Sequence, residues 1–516
     1  MKRSARKGRA RVAGASGQAL VPALIFLLVG GLSIYVAFNS FQMTSAKIKL
    51  QNTADAAAYS AALLQARDYN FSAYTNRAMI ANQVTAAQIV GLKSWIDELD
   101  NRYGATPDVD GLIQAFADHP EKWSGPKRRG KDEIEPVRIT LDALLPIAAR
   151  DIGTIIRGLD TAQTNFHAGI FTAVPQAANT VAQANQADTF VTAGFFTSPR
   201  NTFQLAAWKN YTQIKSLTGQ VEDDRFAEVL TNRDTLDAFT KNRRSTASMA
   251  PDYMQLDDSA NKICRSQPGT IVARVEHEGG TQLRRDKKGW QAIDASLMTV
   301  SVSCIGGLSG EPMTVGRAGA ANGNLPSYRG KPSFLSYAPY VSDTLDWTGY
   351  GGYINFGADQ SGKPGRVPNA VASQMGQGPG LLMDPQNGGL LPYQDIVGTP
   401  TSPEAPRITI ELERKSGTLT KTVGLQGAGR MRAVPTAAGE VLRALSSANA
   451  YFVRPNEGPG SALKYGLLYH SALWQRTDGK TEYPSTFNPY WQAHLAPVRE
   501  AERQAAWVDQ IPASDY

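Results

Sequence analysis

Residues 19–41, ALVPALIFLLVGGLSIYVAFNSF, carry no charged side chain. At 1.5 Å of rise per residue, a helix of about 23 residues is long enough to cross the roughly 30 Å hydrocarbon core of a bilayer. The next stretch changes its apolar pattern without losing helical character. Residues 44–99 hold no proline and one glycine, Gly91, and apolar groups recur at Leu50, Ala54, Ala57, Ala61 and Leu64, the three-and-four spacing of one helical face. The pattern predicts a membrane helix that runs on into a soluble one. Aromatic and amide side chains follow at Tyr69, Asn70, Phe71, Tyr74, Asn76, Asn82 and Gln83. That mixture suits a helix packed against protein, with the amides as structural hydrogen-bonders rather than ligands.

Beyond it the pattern breaks. Residues 101–135 are polar and contain Pro107, Pro120, Pro126 and the basic cluster Lys127, Arg128, Arg129, Lys131, which reads as a loop or linker able to meet anionic headgroups if it folds back to the bilayer. Helical patterns resume over 139–159, over 161–192 with an interruption at Pro175, and over 203–217 and 221–242. Successive helices of this kind predict a helical layer or bundle.

Near Ser248 the period changes to two. Residues 270–278, 290–304 and 407–423 alternate apolar and polar positions with many β-branched side chains, and Gly279-Gly280 and Ser416-Gly417 stand where hairpin turns are expected. Residues 306–406 are rich in Gly, Pro, Ser and Asn and read as long loops with short strands at most. A short helix near 439–445, a strand at 450–453 and a helix at 496–507 complete the pattern. The class expected is α+β: a transmembrane helix continuing into a long soluble helix, a helical layer, then an antiparallel β-rich C-terminal region with long Gly/Pro-rich loops. The divisions are a basic arm (1–18), the span (19–41), a membrane-proximal helix (42–100), a mainly helical region (101–250) and a β-rich region (251–516) with the loop-rich insertion at 306–406.

Charge adds orientation to this picture. Lys2, Arg3, Arg6, Lys7, Arg9 and Arg11 precede the span with no acid among them, and positive residues beside a first span hold that end in the cytoplasm. The apolar run exceeds the usual apolar core of a cleaved signal, and Ala37-Phe38-Asn39 is a poor exit site. The chain has 53 Lys+Arg and 46 Asp+Glu, so removing the six positives of the arm leaves 47 against 46. A body that is nearly neutral gives no reason to expect a nucleic-acid partner; the arm suits membrane orientation and anionic lipid.

The two cysteines, Cys264 and Cys304, fall in the part expected outside. In an oxidising compartment a disulfide between them closes a loop of about 40 residues and stabilises by about 3–4 kcal/mol; two buried thiols are the alternative. No catalytic or cofactor pattern emerges. His119, His167, His277, His470 and His494 stand singly, and no phosphate loop, nucleophile elbow or repeated Cys-x-x-Cys occurs. Asp108, Asp110 and Gly111 begin like a calcium loop, but Leu112, Ile113, Ala115 and Phe116 occupy the positions that follow. Asp294-Ala295-Ser296 begins like a D-x-S-x-S metal motif, with Met298 in place of the second serine. The reading is of a protein that is not an enzyme, with no metal or cofactor.

Gly17-Gln18-Ala19-Leu20-Val21 leading into the span, and Leu50-Gln51-Asn52-Thr53-Ala54-Asp55-Ala56-Ala57-Ala58 beyond it, resemble the N-terminal module of TadE/TadG-like Flp pilus-assembly proteins. Residues 487–493, FNPYWQA, are similar to longer TadG-like members. The resemblance implies membership of the tight-adherence (Tad) pilus and secretion machinery: a single-pass inner-membrane protein with a periplasmic body and other pilus-assembly proteins as partners. Pilin-like relatives are cut after a glycine that a glutamate follows five residues on. Here Gly17 is followed at that position by Pro22, which points to an uncut anchor with an assembly role. The alanine-rich helix is expected to offer a partner helix a smooth face. The competing class is a membrane-anchored periplasmic hydrolase or carbohydrate-binding protein using 306–406, with Trp347, Tyr350 and Tyr353 as a stacking surface.

Overall fold

The computed structural model describes residues 19–106, 120–215, 225–232, 236–241, 253–255, 271–283, 289–302, 313–322, 389–397, 402–420, 441–454 and 482–508, with single positions and dipeptides between them. Its backbone is one helix, α1 (Leu20–Tyr103), unbroken over 84 residues and therefore about 126 Å long. The absence of proline after Pro22 and the run of alanines account for its continuity, since proline removes a helical donor and alanine has the highest helix propensity. In its apolar first part the most hydrophobic window is entirely unburied, and the helix is long and apolar enough to cross a membrane. From Ala46 onward one face is covered by the rest of the chain.

Antiparallel to α1 lies α2 (Glu121–Asn185), a single helix of 65 residues. This corrects two expectations. Residues 121–135 are helix rather than linker, and the helical patterns expected as separate pieces fuse across Pro126, Pro136, Pro146 and Pro175. Each proline leaves one carbonyl a turn earlier without its donor, at a cost of about 3 kcal/mol. Tertiary burial offsets that cost. Leu145, Ala149, Ile156, Ile170, Val174, Ala178 and Ala182 are all buried, and they fall on the α2 face that packs along α1. An ion ladder adds to this packing: Lys93 meets Asp97 and, at 2.8 Å, Asp142, while Arg138 holds Asp100 at 3.2 Å and Asp142 at 2.6 Å.

Short elements follow: β1 (Thr189–Val191), α3 (Pro199–Lys209), β2 (Thr212–Lys215), α4 (Arg225–Thr231) and the single turn α5 (Ala238–Lys241). The helices expected over 203–217 and 221–242 are thus present only in part. Then come β3 (Tyr253–Gln255), β4 (Ile271–Leu283), β5 (Trp290–Val302), β6 (Leu308–Ser309), β7 (Met313–Ala321), β8 (Tyr393–Ile396), β9 (Ile408–Lys415), β10 (Leu425–Gln426), β11 (Arg432–Ala433), β12 (Val441–Phe452), β13 (Trp491–Ala496) and α6 (Glu500–Val508).

Two antiparallel sheets rest on the spine. The first, in order β1-β9-β12-β13, covers the membrane-proximal half of the soluble part of α1; the second, β3-β4-β5-β6 with β7 also on β5, covers its far end. The expected mixture of helical layer and antiparallel sheet is what the structure shows. Three local expectations are corrected. Gly279-Gly280 lie inside β4, paired with Asp294 and Ile293, rather than in a turn. Residues 441–445 begin strand β12 instead of a helix, because Leu442 and Ala444 alternate inward opposite β9. The segment 313–321 forms a nine-residue strand within the expected loop region.

Candidate functional site

The motif at 50–58 lies on the buried side of α1. Leu50, Ala54, Ala57 and Ala58 are fully buried. Asn52 is exposed, while Gln51, Asp55 and Ala56 are half-buried. Gln51 donates to Asp55 Oδ1 (2.9 Å) and to the Leu445 carbonyl (3.1 Å). Small residues permit this arrangement: Ala58 and Ala62 touch Ala448 of β12, with Ala493 of β13 beside them. The alanine face expected to receive a partner helix is therefore occupied by the chain's own sheet. Of the leading segment, Ala19 immediately precedes the helix and Leu20 opens it, 66% exposed; Gly17 and Gln18 lie outside the described residues.

Above the motif, amide side chains bind the backbone of the first sheet, of β8 and of the segments beside them. Gln65 donates to the Pro406 carbonyl (2.9 Å) and accepts from Ala450 N–H (2.8 Å). Asn70 donates to the Trp491 carbonyl (2.8 Å) and accepts from its N–H (3.0 Å). Asn76 donates to the carbonyls of Gln394 (3.0 Å) and Thr486 (2.9 Å), and Gln83 donates to that of Gly389 (2.9 Å) while accepting from Trp290 Nε1 (2.9 Å). An amide carries a donor and an acceptor side by side, as a β-strand edge does, so it can complete a strand from a helix. The structural role expected for Asn70, Asn76 and Gln83 is what these contacts show. Asn82 donates to its own helix, at the Ala78 carbonyl. The aromatic segment at 487–493 belongs to this contact: Trp491 packs against Tyr69 with ring centroids 4.7 Å apart.

Near the far end of α1 a buried charge cluster joins helix to sheet. His277 on β4 places Nδ1 3.2 Å from Glu98 and Nε2 3.3 Å from Asp294. Burial opposes its charge, but the adjacent Glu98 and Asp294 carboxylates raise its pKa to about 9. Arg243 grips Asp294 through Nε and Nη2, each at 2.7 Å, and donates to Thr281 Oγ1 (2.7 Å). Burial opposes ionisation of Asp294, yet Arg243 and His277 hold its carboxyl below the usual range. The Asp294 and Ser296 of the incomplete metal motif are thus inward residues of this cluster. Their inward alternation on a strand was legible, while their partners, Arg243 at 51 residues from Asp294 and Arg102 at 194 from Ser296, were not. A second buried set joins His167 Nδ1 to Asp68 Oδ2 (2.8 Å), which also accepts from Trp208 Nε1 (3.2 Å). The Ser296 hydroxyl also lies 3.2 Å from His277 Nδ1, and Ser296, His277 and Asp294 are all buried. Among the described residues no group of His, Cys, Asp and Glu is arranged to hold a metal ion.

At the tip of α1 an open cleft of about 690 Å³ is lined by Tyr103, Asp110, Trp123, Lys127 and Lys131 among others. Burial opposes ionisation of Asp110, but hydrogen bonds from Lys127, Trp123 and the Thr106 N–H hold its pKa below the usual value. Its carboxylate is used within the chain, not by a calcium loop. The cluster Lys127–Lys131 stands about 90 Å of helix from Phe41, since Lys131 binds Asp100 near the end of α1. It does not fold back to the bilayer that α1 would enter.

Residues 17–66 match the family model of putative Flp pilus-assembly TadE/G-like proteins. The N-terminal module is TadE/G-like. No curated protein and no solved structure matches the chain. The Tad module thus covers the span and the alanine line, and it ends where the ladder of amides begins. Cys264, Cys304, Trp347, Tyr350 and Tyr353 lie outside the described residues.

Proposed function

We propose that this chain is a non-enzymatic, single-pass inner-membrane component of a Tad/Flp-type pilus assembly and secretion system, with its N-terminus cytoplasmic and a periplasmic body that acts through protein–protein contacts. The observation that carries the reading is the match of residues 17–66 on a helix that continues without a break from its exposed apolar start to Tyr103. Three features support it. Six basic residues and no acid precede the span. Pro22 stands where a pilin-like subunit has its glutamate. The carboxylates of Asp294, Asp68 and Asp110 each have side-chain partners within the chain.

The unbroken helix gives the body a mechanical character. Its two sheets are fixed to one rod by apolar packing and by side-chain amides, so they move with the span. Such a protein can hold other components at set heights above a bilayer. The test is complementation in a strain lacking the chain. Flp pilus assembly is expected to be lost and restored by the full chain, but not by one lacking residues 1–41. Normal piliation in the deletion strain would refute the proposal.

A further inference from the structure

The soluble body reaches down to the end of the span. Thr422, which follows β9, donates its N–H to Asn39 Oδ1 (3.2 Å), and Asn39 Nδ2 donates to Thr422 Oγ1 (2.6 Å). Asn39 lies within the apolar span expected over 19–41, and the first charged residue beyond it is Lys47.

The height of the neighbouring strand ends follows from register. β12 runs beside α1 in the same direction, with Lys47 on the Arg443 carbonyl, Gln51 on that of Leu445 and Gln65 on the N–H of Ala450. Val441, two residues before Arg443, pairs with Lys415. At about 3.3 Å per strand residue, Lys415 stands about 7 Å below Arg443, level with Met43 on α1. Met43 and Leu419 pack against the same core. Residues 415–420 and 422 therefore span the depth from Met43 to Asn39, where a helix leaves hydrocarbon for the headgroup layer. Lys415, Thr418 and Thr420 are exposed there. The neighbouring Arg414 is committed to Asp188 at 2.7 Å, while Lys415 is an exposed cation of this described segment.

We propose that residues 415–420 and 422 form a lipid-contacting rim, in which Lys415 and the hydroxyl of Thr420 bind the phosphate of an anionic phospholipid headgroup. This rests on α1 spanning the bilayer. The rim fixes how deep the body sits and keeps the spine from sliding along its axis.

The test uses the full chain in nanodiscs of phosphatidylcholine mixed with phosphatidylglycerol, with a benzophenone amino acid at Thr420 or, as control, at the exposed Ala143 of α2. Irradiation is expected to give lipid adducts at 420 and none at 143. Phosphatidylglycerol should be enriched among the adducts about fivefold over its share, the effect of one cation near an anionic surface. Lys415→Glu should abolish the enrichment and Lys415→Gln should reduce it. Protein adducts alone at 420, or lipid adducts with no preference in any variant, would overturn the rim. Alkaline carbonate extraction separates the two readings: a chain released from membranes overturns the span itself, whereas a retained chain without lipid adducts overturns only the rim.

Discussion

His277 Nδ1 and Glu98 Oε2 lie 3.2 Å apart where β4 crosses the end of α1, both side chains almost fully buried. A carboxylate and an imidazolium this close, with Asp294 on the other ring nitrogen, tie helix to sheet by charge. The folded pKa of about 9 lies above the ordinary 6.5. This stabilisation is therefore fully present below pH 6.5 and is lost as pH rises through 9. A shift of that size corresponds to on the order of 3 kcal/mol. The melting temperature of the detergent-solubilised chain should fall between pH 7 and 9.5, and His277→Gln should remove most of that slope while lowering stability at pH 7.

Arg243 and Asp294 form a second buried ion pair of the same cluster. Asp294→Ala leaves a buried guanidinium without its counter-charge, and the expected loss is about 3–5 kcal/mol. Replacing both, as Arg243→Met with Asp294→Leu, should lose much less than the sum of the single changes. Denaturant titration of the three variants checks this, and additivity would contradict the pairing.

At the alanine line the limit is volume. Ala58 and Ala62 are fully buried against Ala448, so Ala58→Leu should cost about 1–3 kcal/mol through overpacking. Asn52→Ala, on the exposed side of the same motif, should stay within about 0.5 kcal/mol. Equal effects at the two positions, read by thermal unfolding, would mean that the alanines do not face the sheet.

Gln65 and Asn70 each make two hydrogen bonds to backbone groups. Asn70→Leu removes both and leaves the Trp491 N–H and carbonyl without their side-chain partner, at a cost of about 1–3 kcal/mol. Hydrogen exchange of the Trp491 amide should speed up with it. The Ala450 amide, held by Gln65, should keep its rate in that variant and lose protection in Gln65→Leu.

Much of α1 was legible because local rules agree along it: no charge from 19 to 41, no proline from 44 to 99, and alanines at helical spacing. Prolines misled in α2, where burial of residues such as Val174 and Ala178 against α1 outweighs local preference. Gly279-Gly280 misled for the same reason, since pairing with β5 holds an extended conformation that glycine alone does not favour. The alanine line was recognised, but its occupant was not. Nothing local says whether a small-residue face waits for a neighbouring protein or for strands more than 300 residues away, such as Leu445 beside Gln51. The charge cluster failed in the same way, because Glu98, Arg243 and Asp294 share no spacing and meet only once the sheet is laid on the helix.

The central claim is membership of a pilus-assembly complex through a retained membrane spine. It is tested most directly by affinity purification of the tagged full chain from solubilised cell membranes, with mass spectrometry of the eluate and of the intact chain. The expected result is an uncut chain that co-purifies with other Tad/Flp pilus-assembly proteins. A chain beginning after the span, or one that elutes with no pilus component, would contradict it.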